Sequence, residues 1–303
     1  MSDELAHADQ RSGPAPGSEA SELTQRTGYV LAALDTTAAA RPVLETALRV
    51  GEMTKAEVKA VHVVDGATEH LETLVERAGV PLRLLTGPVE GTLLEAMEAP
   101  EVLATVVGAR ATPGGKRPVG RIARHLLERT SKPVVVVPPE ALAPGTFLRL
   151  LVPLEGTESS SRPVLQALYP LLAVDVEIIV LHVFTDKTLP RMLDRPQRDL
   201  ELLGREFLAT HCPLATGIEL RSGPVGARVS EVSRQHRADL VVLSWSQDSS
   251  AGRANVVREV LGTSVLPVLL LPVASASAAS DVPRGLAAGE HPATPEPRKA
   301  SAP

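Results

Sequence analysis

Aromatic side chains are almost missing from this chain: one tryptophan, two tyrosines and three phenylalanines in 303 residues. Base-stacking platforms for nucleic acid therefore have little to be built from. A basic excess is missing too, because 31 Lys and Arg stand against 36 Asp and Glu for a net charge of -5. Nucleic acid is not an expected partner. Cysteine occurs once, as Cys212 in "THCP", so no disulfide framework or cysteine metal site can form within one chain. Next to a helix end, Cys212 reads as a small apolar residue rather than a reactive thiol. No apolar run approaches the ~20 residues of a membrane span; the longest is of the kind seen in "VLPVLLLPVA" at 265–274. The start, "MSDELAHADQ", has neither a basic segment nor an apolar one, so the expectation is a soluble cytoplasmic protein without a secretory signal.

What is present is a repeat. "YVLAALDTTAAARPVLETAL" (29–48) is echoed by "RLLVPLEGTESSSRPVLQAL" (149–168), and "VKAVHVVD" (58–65) by "IIVLHVFTD" (178–186). "LLTGPVEGTLLEAM" (84–97) answers "LRSGPVGARVSEVS" (220–233), and "LERTSKPVVVVPPE" (127–140) answers "REVLGTSVLPVLLLPV" (258–273). Four blocks in one order mean two copies of one domain. The expected boundaries are 28–140 and 148–274, with a linker between them and tails at 1–27 and 275–303. Both tails are rich in Ala, Ser, Pro, Gly and Glu and read as disordered.

Each copy alternates apolar runs with stretches of helical spacing. Strands are expected at 29–34, 58–64, 82–86, 103–107 and 133–137, then at 149–154, 176–184, 217–221, 239–243 and 266–272. Unbroken runs suit parallel strands covered on both faces. Five βα units per copy predict two tandem doubly wound α/β domains, each with a five-stranded parallel sheet flanked by helices. In that architecture ligands sit beyond the carboxyl ends of the strands, where strand order reverses. The loops after the first and fourth strands are the places to search.

After the first strand stand Asp35 in one copy and Glu155 in the other. An acid here can accept hydrogen bonds from a sugar hydroxyl or an amine, or it can serve the dipole of the following helix. After the fourth strand comes "GARATPGGKRPVGR" (108–121). Its glycines allow a backbone anion site before a helix, and Lys116, Arg117 and Arg121 add charge. Arg121 and Arg124 near a helix start oppose the dipole, which a bound anion or simple solvation would explain. The second copy's "SWSQDSSAGRANVVREVL" (244–261) has a single glycine, Gly252; Asn255 reads as an N-cap. Trp245 could stack on a ligand, but packing between the domains is the better expectation.

Together, the acid after strand one, the "HVV" and "HVF" endings of strand two, the glycine-rich loop and the closing "KPVVVVP" and "LPVLLLP" strands resemble the universal stress protein family in its tandem form. The resemblance spans 29–138 and 149–273 and implies an adenine-nucleotide alpha-hydrolase-like fold. Some members bind ATP and some bind no nucleotide. It implies adenosine contacts at Ala33, Asp35, Val63 and Val107, and phosphate contacts at Gly108, Ala111, Gly120, Arg121 and Ile122. This chain departs from the family's Gly-x2-Gly-x9-Gly-Ser/Thr pattern. Ala111 stands for the second glycine, Arg121 for the hydroxyl residue, and eight residues instead of nine separate Ala111 from Gly120. In the second copy the matching positions are Pro153, Glu155, Val183, Leu243, Ser244, Ala254 and Asn255, without either end glycine.

The resemblance therefore implies a stress-response regulatory protein with a degenerate site in the first domain, binding ATP weakly or not at all, and a second domain that binds none. The alternative is a protein-interaction scaffold with both sites vestigial. It also implies that 133–137 and 267–271 pair within the chain as a pseudo-dimer, with a further homodimer open. Enzymatic activity is not expected. The Ser-Gly-Gly-x-Asp-Ser and His-Ile-Gly-His stretches of related ATP-using enzymes are missing, as is a Gly-x-Ser-x-Gly turn. His62 and His182 lie inside apolar runs and read as structural, and His211 and His236 lack metal-ligand spacing.

Overall fold

The computed structural model describes residues 28–109, 119–141, 145–184, 197–247 and 253–273. The tails expected at 1–27 and 275–303 lie outside these residues, as does most of the loop 108–121, including Ala111 and Lys116.

The first half runs β1 (Tyr29–Ala33), α1 (Ala40–Thr54), β2 (Glu57–Val63), α2 (Glu69–Ala78), β3 (Leu82–Leu85), α3 (Val89–Met97), β4 (Val102–Gly108), α4 (Arg121–Leu127) and β5 (Val134–Val137). The second half repeats it with β6 (Arg149–Pro153), α5 (Glu158–Leu168), β7 (Glu177–Phe184), α6 (Gln197–His211), β8 (Gly217–Ser222), α7 (Val225–Gln235), β9 (Leu240–Trp245), α8 (Arg253–Thr263) and β10 (Val268–Pro272). All ten expected strands are present. The expected fifth helix of the first copy is not: among the described residues β5 is followed by Pro138 and Pro139 and then the crossing to β6. Two consecutive prolines remove backbone donors and bar a helix from starting at once.

The strands join one sheet in the order β3-β2-β1-β4-β5-β10-β9-β6-β7-β8. Within each half the pairs are parallel. At the centre β10 meets β5 antiparallel, with Val268 opposite Val136, Leu269 opposite Val135 and Leu270 opposite Val134. The "VVVV" of β5 is completely buried. Each half thus covers the other's edge strand, whose backbone groups would otherwise be open to any other chain.

Side chains alternate across the sheet with period two. Val30 and Ala32 face a core shared with α1, α2 and α5, while Leu31 faces a second core shared with α3, α4, α7 and α8. Helix α1 shows why these segments fold as they do. Ala40, Val43, Leu44, Ala47 and Val50 recur at three- and four-residue steps and are buried, each large aliphatic contributing roughly 1.5–3 kcal/mol. The helix ends at Lys55, which takes a left-handed φ of 50°. A positive φ lets the chain turn back into β2, at some strain for a residue with a Cβ.

Candidate functional site

Strand β1 pairs with β4, yet the chain leaves β1 for α1 on one face of the sheet and leaves β4 for α4 on the other. The divergence opens a cleft of about 310 Å³ at the carboxyl ends of the two strands. Its floor is Ala33, Leu34, Val107, Gly108 and Ala109, and its sides are Ala39 and Val43 of α1, Val89 and Leu93 of α3, and Ile122, Ala123 and Leu126 of α4. Asp35, His62, Val63, Asp65, Gly120 and Arg121 complete the lining. Eight of the nine residues that the resemblance implied, Ala33, Asp35, Val63, Val107, Gly108, Gly120, Arg121 and Ile122, line this one space, and the ninth, Ala111, lies outside the described residues.

Asp35 is exposed at the rim and already serves the turn into α1. Its Oδ1 accepts from the Thr37 N–H at 3.0 Å and from Thr37 Oγ1 at 2.6 Å, and Thr37 Oγ1 in turn accepts from the Ala39 N–H at 3.1 Å. Of the two roles weighed for this acid, these bonds are those of the helix start. His62 is 2% exposed. Its Nδ1 lies 2.9 Å from the Leu34 carbonyl, and its Nε2 lies 3.6 Å from Asp65 Oδ1. His182 stands in the same relation to the Leu154 carbonyl, at 3.0 Å. In both halves the ring ties the end of the second strand to the end of the first.

The glycine-rich loop closes on itself. The Gly120 N–H donates to the Ala109 carbonyl at 2.7 Å, so the two ends of the excursion are joined by backbone. That N–H is committed within the protein. Gly108 has room around it, since a Cβ there would meet Val43 Cγ2 at 3.6 Å and Ala39 Cβ at 3.9 Å, ordinary contact distances. The cation at Arg121 has an explanation the sequence did not suggest: its Nη1 donates to Glu90 Oε1 in the first turn of α3. Nor does Arg124 break the dipole rule, because α4 has only seven residues and Arg124 falls in its last turn, where a cation is favourable.

Several lining residues were not anticipated. Val89 and Leu93 follow the "TGP" of the third repeat block, and that block was the available signal for them. Glu90 is 31 residues from Arg121, a separation no local pattern reveals.

The corresponding place in the second half is furnished differently. Leu243 and Ala254 are buried, Pro153, Val183 and Ser244 partly so, and Glu155 is exposed. Asn255 is not an N-cap. It is the third residue of α8, where its Oδ1 accepts from Arg258. Trp245 packs between the halves, buried, with its Nε1 donating to the Leu127 carbonyl of α4 at 2.8 Å. Cys212 is fully buried beside Tyr169, and burial pushes its thiol up from the ordinary value.

Among the described residues no group of His, Cys, Asp and Glu is placed to hold a metal ion, and no helix is long and apolar enough to cross a membrane.

Two doubly wound halves joined edge to edge, with a cleft at a strand-order switch, define a tandem α/β ligand-cleft architecture. Residues 146–272 match the model of the Universal stress protein family. That match covers the second half of the chain, and the first half repeats its strand order. A functionally unknown protein from Pseudomonas aeruginosa PAO1 superposes with a TM-score of 0.60 at 14% identity, covering 82% of this chain and 93% of that one. A universal stress protein from Archaeoglobus fulgidus DSM 4304 gives 0.51 at 14% identity, covering 82% and 97%. At these identities the likeness is one of fold. No curated protein matches the chain in sequence.

Proposed function

We propose that this is a cytoplasmic, non-enzymatic stress-response regulatory protein whose first half, 28–140, holds an adenine nucleotide weakly and whose second half, 148–274, holds none. One observation carries the reading: a cleft of about 310 Å³ with aliphatic walls and, at its edge, Asp35 after β1 and Asp65 after β2. Flat aliphatic walls suit a heterocyclic ring, and a rim carboxylate suits a sugar hydroxyl or an amine. Weakness follows from what the phosphate side has already spent. The Gly120 N–H is bonded to the Ala109 carbonyl and Arg121 to Glu90, so a phosphate would compete with both.

The scaffold reading draws on the same two bonds, because loop ends already bonded within the protein need no ligand to hold them. Calorimetric titration with Mg-ATP, alongside ADP and cyclic AMP, separates the two. One site per chain, lost in Asp35→Ala and weakened in Asp35→Asn, supports the nucleotide. The asparagine keeps the acceptor for Thr37 and removes only the charge, so a loss there is not a failure of the turn. No heat at millimolar ligand, with the fold intact, supports the scaffold.

A further inference from the structure

The repeat that made two clefts has put one residue of the second half to a different use. Aligning β5 with β10 by Pro133 and Pro267 places Val137 on Leu271, hence Gly108 on Ser244 and Ala109 on Trp245. Ala109 lines the first-half cleft. Trp245 instead reaches across the seam and donates to the Leu127 carbonyl. Two residues on, Gln247 donates through Nε2 to the Thr130 carbonyl, also in the first half. Gln247 does this from a left-handed φ of 61°, a conformation a non-glycine residue keeps only when its surroundings hold it there.

Both acceptors belong to the end of α4. The Thr130 N–H bonds back to Leu126 and the Ser131 N–H goes to Glu98, so the Leu127 carbonyl is a helix-end acceptor that the second half satisfies. The same seven-residue helix is a wall of the cleft, through Ile122 and Ala123 in its first turn and Leu126 in its last. A helix of two turns moves as a unit, so what holds Leu127 and Thr130 also sets where Ile122 stands. By the same alignment Leu261 is the counterpart of Leu127 and Ala109 that of Trp245, and alanine has no side-chain donor to return the bond.

We infer that the second half is a positioning module for the first-half cleft, with Trp245 and Gln247 as positioning residues acting through α4. The inference uses the nucleotide reading only where a ligand is added. Hydrogen exchange on the full chain tests it without one. Trp245→Phe keeps the ring and deletes the N–H. Amides of α4 such as Arg124 and Glu128 should then exchange about fivefold faster, with β1 and β8 unchanged. Gln247→Asn, which tolerates the positive φ but cannot span to Thr130, should act in the same direction more weakly. Unaltered α4 exchange in both variants overturns the inference, and so does a rise spread equally over β1 and β8. If Mg-ATP gives heat with the unaltered chain, Trp245→Phe should weaken it severalfold, and an unchanged affinity overturns the coupling. If Mg-ATP gives none, the nucleotide reading fails while the exchange result still decides this one.

Discussion

The carboxyl ends of β1 and β4, and those of β6 and β9, are the same place in two copies of one fold. In the first copy that place is floored by Ala33, Gly108 and Ala109, and a cleft remains. In the second the corresponding residues are Pro153, Ser244 and Trp245, and the tryptophan is buried against the other half. The first strand's acid is followed by Thr36 in one copy and by Gly156 in the other. Gly156 has φ +79°, with Phe207 and His182 packed where a Cβ would stand. Identical topology therefore fixes where a ligand could go, and side-chain volume at a few positions decides whether space is kept for it. Trp245, the counterpart of Ala109, is turned to the other half instead of lining a cleft of its own.

The comparison presumes that the halves fold as one body across the seam, and Leu269→Asp would break it if they do not. Leu269 is 1% exposed opposite Val135, and an unpaired buried carboxylate costs several kcal/mol. Thermal unfolding followed by Trp245 emission, with hydrogen exchange of β1 as the first-half probe, should show both halves lost together. Val265→Asp, at a position 59% exposed, should stay within about 0.5 kcal/mol of the unaltered chain. Protection of β1 that survives Leu269→Asp would mean two independent units with a sticky edge.

The second prediction sharpens the contrast at a single position. In Gly156→Ala the new Cβ would lie 2.7 Å from Phe207 Cε2 and 3.0 Å from His182 Cε1, at a positive φ. Strain and overpacking together should cost about 1–3 kcal/mol. Thr36→Ala, at the matching exposed position, should shift the urea midpoint by less than about 0.5 kcal/mol. Equal effects would mean the two copies are furnished alike after all.

How much of this was legible beforehand follows from which forces are local. The ten strands were readable because unbroken Val, Ile and Leu runs have one comfortable home, a sheet buried on both faces, whereas the seam was implied by the family resemblance. The loops after β1 and β4 could be named because strand order fixes where they converge, while the individual cleft residues came from the family resemblance. What stayed hidden was each bond made between elements distant in sequence: Arg121 to Glu90, Trp245 to Leu127, Gly120 to Ala109 across its own loop. Asn255 was misplaced because helix starts depend on the turn before them, and a good capping residue can equally sit inside the first turn. The supposed fifth helix failed for a different reason: Pro138 and Pro139 follow β5 directly, and the described chain goes on from them to the crossing to β6.

The smallest effect concerns pH. His182 of β7 packs edge-on to Phe184 and against Phe207, which in turn meets His211 with the rings tilted by 54°. Burial lowers the His182 pKa, the Leu154 carbonyl opposes that in part, and the nearby His211 lowers it further. A histidine whose folded value is depressed binds its proton more readily when unfolded. Below about pH 6.5 the unfolded chain takes up a proton that the folded chain resists. Stability should therefore fall as pH drops through that point, and level off below the folded value. It should be fully present above it. The same cluster has no aromatic counterpart around His62, whose cleft is lined by aliphatic side chains. Urea midpoints from pH 7.5 to 5 should slope downward in the unaltered chain. His182→Gln keeps an N–H for the Leu154 carbonyl and has no proton to gain, so its line should be shifted lower but flatter. A slope unchanged by His182→Gln would place the acid sensitivity in other groups, and the aromatic cluster would then be packing alone.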